Sequence, residues 1–172
     1  MYRTKAYHAV DKKDTFLAAL KTHERSLYKI ASVYTNNVDD RNDLVQETIY
    51  QLWKSFSTFN QKSAIGTWIY RVAMNVAIYH LKVAKRRVPT VQADNQHSNF
   101  ADVGKCDQDE RWKLLKIQVD KLNLLEKGIV ILYLEEKSYE EIADIIGISS
   151  SNVGTKLSRI KEKLRQQISK QS

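Results

Sequence analysis

Apolar residues recur at steps of three and four through most of this 172-residue chain. That spacing places them on one face of an α-helix, and no segment alternates as a half-buried strand does. The pattern predicts helices around residues 14–35, 43–56 and 67–87, and several more beyond residue 110. One proline and five glycines leave few breaks between them. We therefore predict an all-α fold.

The periodicity fails between residues 88 and 109, a polar segment that contains the only proline. Composition also changes there, because acidic residues gather around a single lysine. Such a segment is typical of a linker between modules. We predict two small helical domains, 1–87 and 110–172, joined by a flexible linker over 88–109.

Charge is distributed unevenly along a chain whose net charge is +8. No Asp or Glu occurs from Thr48 to Ala93, while seven lysines and arginines do. Because phosphate neutralisation drives binding by such segments, nucleic acid is the expected partner. The alternative is a solvated basic face, but aromatic residues interleaved with the basic ones favour nucleic acid.

A single cysteine, Cys106, excludes a disulfide framework within the chain and argues against a metal site built on cysteines. We expect no cofactor. No apolar run approaches the roughly 18 residues of a membrane helix, and the N-terminus lacks the apolar core of a signal peptide. We therefore expect a cytoplasmic protein without membrane insertion.

The segment 138–164 has the pattern of a helix-turn-helix. Ser138 and Glu141 have capping-box spacing, and Gly147 provides the turn. Ser149 or Ser150 would cap the second helix, whose apolar side would be buried. An ordinary helical hairpin is the alternative interpretation. The residues predicted to face DNA are Ser151, Asn152, Thr155, Lys156, Arg159 and Lys163.

The helix over residues 43–56 combines an apolar stripe with a polar face. Asp40 or Asn42 is expected to cap its N-terminus. Its polar face carries Asp43, Gln46 and Glu47. From the residues alone, a solvated acidic face is the simpler interpretation of these three side chains.

Three segments together resemble the extracytoplasmic-function (ECF) type of RNA polymerase sigma factor. They are DLVQETIYQLW at 43–53, TWIYRVAMNVAIYHL at 67–81 and SYEEIADIIGIS at 138–149. The resemblance implies a non-enzymatic initiation factor that binds core polymerase, melts and reads a −10 element, and reads a −35 element as duplex. It also implies an anti-sigma protein as a partner.

The resemblance assigns residues to two of these tasks, and the helix-turn-helix residues above take the −35 element. Asp43, Gln46 and Glu47 would bind core polymerase. The polar loop before the third helix would capture a flipped base, and aromatic side chains would stack on unpaired bases. The −10 residues are Asn60, Lys62, Ser63, Trp68, Arg71, Asn75, Tyr79 and Lys82. Trp68 alone is equally well interpreted as a core residue.

Two other functions fit parts of the sequence. An ordinary helix-turn-helix regulator with a helical effector or dimerisation domain explains the C-terminal half but not the acid-free basic block. A metal-dependent nuclease would use Asp39, Asp40, Asp43 and Glu47, although no histidine lies near them in sequence.

Overall fold

The structure, a computed structural model, describes residues 3–87 and 110–169. All regular secondary structure in these two ranges is helical, as the sequence predicts. The predicted linker at 88–109 lies outside the described residues. The helices are α1 (Arg3–Tyr34), α2 (Val38–Phe56), α3 (Ile65–Arg87), α4 (Glu110–Asp120), α5 (Leu124–Leu134), α6 (Tyr139–Ile146) and α7 (Ser150–Ser169).

Helices α1, α2 and α3 pack against one another and form the first half of the molecule. Their apolar stripes meet in a core that includes Ile30, Leu44, Leu52 and Met74, each at most 2% exposed. The expected cap of α2 was wrong, because Asn37 occupies that position and its side chain accepts from the Asp40 backbone N–H at 2.8 Å. Asp39 and Asp40 instead lie in the first turn of α2, where their negative charges interact favourably with the positive end of the helix dipole.

Helices α4 to α7 form the second half, whose core includes Ile129, Leu132, Ile142 and Leu157. The predicted capping box of α6 is confirmed. Helix α5 begins with a second capping box, formed by Asn123 and Glu126, which was not predicted although the two residues have the same spacing. Gly147 ends α6 with a φ of 82°, a left-handed conformation that glycine adopts without steric cost. A C-terminal helix-turn-helix is therefore confirmed.

The two halves pack directly against each other. Helix α1 contacts α4 and α5, and α3 contacts α6, so that one continuous core runs through both halves. The predicted domain boundaries themselves remain a prediction. Within the described ranges, no helix is both long enough and apolar enough to cross a membrane.

Candidate nucleic-acid interface

Helix α7 divides cleanly into a buried and an exposed side. Val153, Leu157 and Ile160 are at most 2% exposed, and Ser149 caps the helix by accepting from the Asn152 backbone N–H at 3.3 Å. The opposite side carries four of the predicted −35 residues in exposed positions: Ser151, Asn152, Thr155 and Arg159. This side has the donors and acceptors that major-groove base edges and phosphates require.

The two predicted lysines of α7 differ from these four residues. Lys156 is partly buried, and Lys163 Nζ lies 2.5 Å from Glu126 Oε1 of α5. Burial alone would raise the pKa of Glu126, but hydrogen bonds from Lys163 and from the Asn123 backbone outweigh it and hold that pKa below its ordinary value. Lys163 is thus oriented by α5, whereas Arg159 extends into solvent.

Gly154 lies on α7 opposite the ring of Tyr139, the first residue of α6. A Cβ built on Gly154 would lie 3.4 and 3.6 Å from two ring carbons of Tyr139, which is ordinary van der Waals contact. Tyr139 is 39% exposed and was not among the predicted site residues. Its aromatic character alone gave no signal, because only the folded turn brings its ring beside α7.

The exposed face of α3 carries Asn75, Tyr79 and Lys82 at helical steps of four and three. Tyr79 is 70% exposed, the largest value among the exposed apolar and aromatic side chains of the described chain. An aromatic ring in such a position is free to stack on a base. The structure therefore brings these three predicted −10 residues together on one open surface.

Trp68 is partly buried in a cluster of aromatic rings. Its ring centroid lies 5.1 Å from that of Phe59 and 6.0 Å from that of Phe56. Phe56 in turn contacts Phe16 at 5.2 Å. Trp68 therefore has a packing role, which the sequence alone left as one of two equal interpretations, and it retains a partly exposed side.

The predicted base-capture loop is a tight turn between α2 and α3. Asn60 and Lys62 are exposed and Ser63 is partly buried. The Asn60 side-chain oxygen accepts from the Lys62 backbone N–H at 3.2 Å, and Gln61 between them has a φ of 57°. The turn leaves Asn60 and Lys62 exposed to solvent near the N-terminal end of α3, where Trp68 lies.

Arg71 does not join the open face of α3. Its guanidinium donates to the backbone carbonyl of Asp144, near the C-terminal end of α6, at 2.9 Å. A residue predicted to hold promoter phosphates is thus bonded to the other half of the molecule. No sequence pattern pairs these two residues, because they are 73 positions apart.

The polar face of α2 is exposed as predicted. Asp43, Gln46 and Glu47 face solvent, opposite the buried Leu44, Val45 and Thr48. Two aromatic residues that were not among the predicted site residues continue this surface: Tyr50 is 56% exposed and Trp53 is 51% exposed. Their helical spacing from Asp43 and Glu47 was the available signal.

The carboxylates of the nuclease interpretation do not converge on a metal site. Across residues 3–87 and 110–169, no group of three or more His, Cys, Asp or Glu side chains is arranged to hold a metal ion. The structure thus gives no geometric support to that interpretation.

Each half of the chain matches a known protein-family model. The family model for Sigma-70 region 2 matches residues 19–87, and that for Sigma-70 region 4 matches residues 118–164. The RNA polymerase sigma factor SigV of Bacillus subtilis is 33% identical over 93% of this chain and 97% of its own length. The ECF RNA polymerase sigma-E factor of Haemophilus influenzae is 30% identical over 81% of this chain and 82% of its own length.

Solved structures show the same fold. CnrH, in complex with the cytosolic domain of CnrY, superposes with a TM-score of 0.68 at 18% identity over 93% of this chain and 91% of its own. The sigma factor RpoE, in complex with the anti-sigma factor NepR from Bartonella quintana, superposes at 0.66 with 21% identity over 92% and 97%. Because SigV is 33% identical over 93% of this chain and the sigma-E factor is 30% identical over 81% of it, the chain belongs to the ECF RNA polymerase sigma factors.

Proposed function

We propose that this sigma factor assigns three separate surfaces to the three tasks of initiation. As a member of its family it binds core RNA polymerase and directs promoter-specific transcription. The proposal therefore concerns which residues contact polymerase and which contact each promoter element. We assign α7 to the duplex −35 element. We assign α3 and the loop before it to the partly single-stranded −10 element, and the polar face of α2 to polymerase.

The open face of α3 is the observation that carries this assignment. It combines a ring that is 70% exposed at Tyr79 with the amide of Asn75 and the ammonium of Lys82. Stacking suits unpaired bases, while the amide and the cation suit base edges and phosphates. In a duplex the faces of the bases are already stacked on one another, so an exposed ring fits a melted strand better than a duplex.

The α2 surface fits a protein partner. Its acidic and amide side chains are exposed, and Tyr50 and Trp53 add apolar area beside them. Aromatic residues are enriched at protein interfaces, and polar residues form the rim around them. We assign Asp43, Gln46 and Glu47 to core polymerase, with Tyr50 and Trp53 as further contacts.

The remaining parts of the proposal follow from membership of the family. Polymerase, rather than this chain, forms the phosphodiester bonds, and the protein acts in the cytoplasm where polymerase is. Because two structures with this fold are complexes with CnrY and with the anti-sigma factor NepR, we propose that an anti-sigma protein also binds this chain. The relatives do not favour the alternative of an ordinary helix-turn-helix regulator.

Transcription in vitro with purified core polymerase tests the assignment. A pool of genomic fragments first identifies a promoter and its start site. Open complexes are then measured by permanganate reactivity of unpaired thymines, and −35 binding by titration of a labelled duplex. Tyr79→Ala should lower open-complex formation roughly 5- to 150-fold, the equivalent of about 1–3 kcal/mol for one stacked base. It should leave duplex binding unchanged.

Arg159→Ala is the complementary variant, since its side chain is also exposed but lies on α7. It should weaken duplex binding and leave initiation from a template with a pre-melted −10 element intact. Normal permanganate reactivity in Tyr79→Ala, or loss of duplex binding in both variants alike, would contradict the division between α3 and α7.

A separate pair of variants tests the assignment of the α2 surface to core polymerase. Glu47→Lys should weaken binding to core polymerase, whereas Glu24→Lys, an equal charge change at an exposed position of α1, should not. Equal affinity of the two variants would exclude the α2 assignment.

A further inference from the structure

Glu126 of α5 lies against the helix that we assign to the −35 element. Helix α5 packs on α7, and Glu126 Oε1 accepts from Lys163 Nζ at 2.5 Å. The two side chains differ in burial, because Glu126 is 15% exposed and Lys163 is 52% exposed. An acid of a neighbouring helix thus binds one of the cations predicted to contact promoter DNA.

The carboxylate of Glu126 is fixed by the N-terminal cap of its own helix. Its other oxygen, Oε2, accepts from the Asn123 backbone N–H at 3.2 Å, and the Asn123 side chain accepts from the Glu126 backbone N–H at 2.9 Å. These two bonds are the capping box of α5. Glu126 therefore cannot follow Lys163 towards DNA without giving up the cap.

A second cation of α7 acts on the same carboxylate. Lys156 is partly buried and lies seven residues before Lys163, two turns earlier on the same side of the helix. Burial alone would raise the pKa of Glu126, but the hydrogen bonds from Lys163 and the Asn123 backbone, and then the charges of Lys163 and Lys156, lower it below its ordinary value. Glu126 is therefore a carboxylate anion at neutral pH.

This anion lies at the edge of the surface proposed to meet DNA. Asn152, Lys156, Arg159 and Lys163 recur at steps of four, three and four, so they share one side of α7. Asn152 and Arg159 are exposed, whereas both lysines interact with Glu126. The ammonium of Lys163 can bind a phosphate only if it leaves a carboxylate that is mostly shielded from water, and such a loss is costly.

We propose that Glu126 limits the phosphate affinity of α7 by holding Lys163, so that binding of the −35 element depends on the exposed Asn152, Thr155 and Arg159. This restraint rests on the proposed assignment of α7 to the −35 duplex. Phosphate contacts supply affinity for any DNA sequence, whereas base contacts supply discrimination. An acid that removes one phosphate contact therefore weakens binding to promoter and non-promoter DNA alike.

Titration of labelled duplexes with the full-length chain, over a range of salt concentrations, measures the restraint. Glu126→Gln removes the charge and keeps the length of the side chain, and glutamine also forms a capping box at this position. For each phosphate contact, the logarithm of the association constant changes by about −0.9 per tenfold increase in salt. The variant should steepen this slope by about 0.9 and bind roughly 3- to 10-fold more tightly at about 0.1 M salt. The gain should be equal on a −35 duplex and on a scrambled duplex.

Glu136→Gln is the matched control, because it makes the same charge change at an exposed residue beyond the opposite end of α5. At 1.5 Å per residue this position is roughly 15 Å from Glu126, farther than the Debye length of about 8 Å at physiological salt. It should leave affinity and slope unchanged. An equal gain in Glu136→Gln, or no gain in a Glu126→Gln protein that circular dichroism shows to be folded, would overturn the restraint. A gain confined to the −35 duplex would also overturn it, since a released lysine binds phosphate of any sequence.

Lys163→Gln provides a second test that does not require a Glu126 variant to fold. If Glu126 holds Lys163 away from DNA, this substitution should leave the salt slope of the otherwise wild-type chain unchanged. In the Glu126→Gln background it should remove the added slope of about 0.9. A loss of about 0.9 in the wild-type background would show that Lys163 already contacts phosphate, which would contradict the restraint.

Arg159→Ala separates failure of the restraint from failure of the α7 assignment. If Arg159→Ala weakens duplex binding while Glu126→Gln leaves it unchanged, the assignment of α7 stands and the restraint fails. If neither variant changes duplex binding, α7 does not read the −35 element and both fail.

Discussion

The two glycines of the helix-turn-helix should respond in opposite ways to the same substitution. Gly154 lies inside α7, where glycine costs about 1 kcal/mol relative to alanine. A Cβ there would meet only the Tyr139 ring, at 3.4 Å or more, so no steric cost offsets the gain. Gly154→Ala should therefore raise the free energy of unfolding by about 1 kcal/mol.

Gly147→Ala should have the reverse effect for a purely backbone reason. A Cβ there would have no atom within 4 Å, but the φ of 82° costs an L-residue roughly 1–2 kcal/mol. In a chain of this length, 1 kcal/mol corresponds to a shift of about 2–4 °C in Tm. Gly154→Ala should melt about 2–4 °C above the wild type, and Gly147→Ala a similar or larger interval below it.

Circular dichroism at 222 nm, recorded for the three proteins in one buffer and at one scan rate, measures these shifts. Urea titration at 25 °C checks that the order of stability is not an effect of irreversible melting. If the two variants shift in the same direction, backbone conformation does not control these positions. A decrease in Tm for Gly154→Ala would show that the contact with Tyr139 is tighter than the structure implies.

Two further variants test the capping and the titration of buried groups. Ser138→Ala removes the side chain that accepts from the Glu141 backbone N–H at 3.1 Å and should cost about 1 kcal/mol, whereas the exposed Ser151→Ala should be nearly neutral in the same melting assay. Burial, and then the charge of Lys137, lower the pKa of His23 from its ordinary value of 6.5. The unfolded chain therefore binds the proton more readily than the folded chain, and the free energy of unfolding falls as pH drops below about 6.5. His23→Gln should reduce the loss of stability between pH 7.5 and 5.5 in urea titrations, and an unchanged loss would show that His23 does not titrate differently on folding.

Local patterns were predictable from the sequence because their partners lie within a few residues. The capping box of Ser138 and the turn at Gly147 depend on spacings of three and four, and the structure reproduces both. The prediction of the capping residue of α2 was wrong for a related reason. Its segment offers several Asn and Asp residues in succession, and the choice of Asn37 depends on where the helix begins.

Contacts between distant segments were not predictable. Glu135 meets Lys29 across 106 residues and Tyr70 across 65, and a single sequence contains no pattern that pairs them. Trp68 illustrates the intermediate case. Its spacing placed it on a helix face, but only the packed Phe56 and Phe59 decide how much of the ring faces the core.

The cationic side chains that can bind phosphate oxygens can also bind oxygen atoms of the protein itself. Two of the cations predicted to hold DNA, Arg71 and Lys163, are bonded to the Asp144 carbonyl and to the Glu126 carboxylate. Substituting Arg71 would therefore remove a contact between the two halves and a proposed −10 contact at the same time. Glu135 belongs to neither proposed DNA surface. Glu135 variants would remove only contacts with the other half, such as that with Lys29, and leave the groups proposed to read the promoter in place.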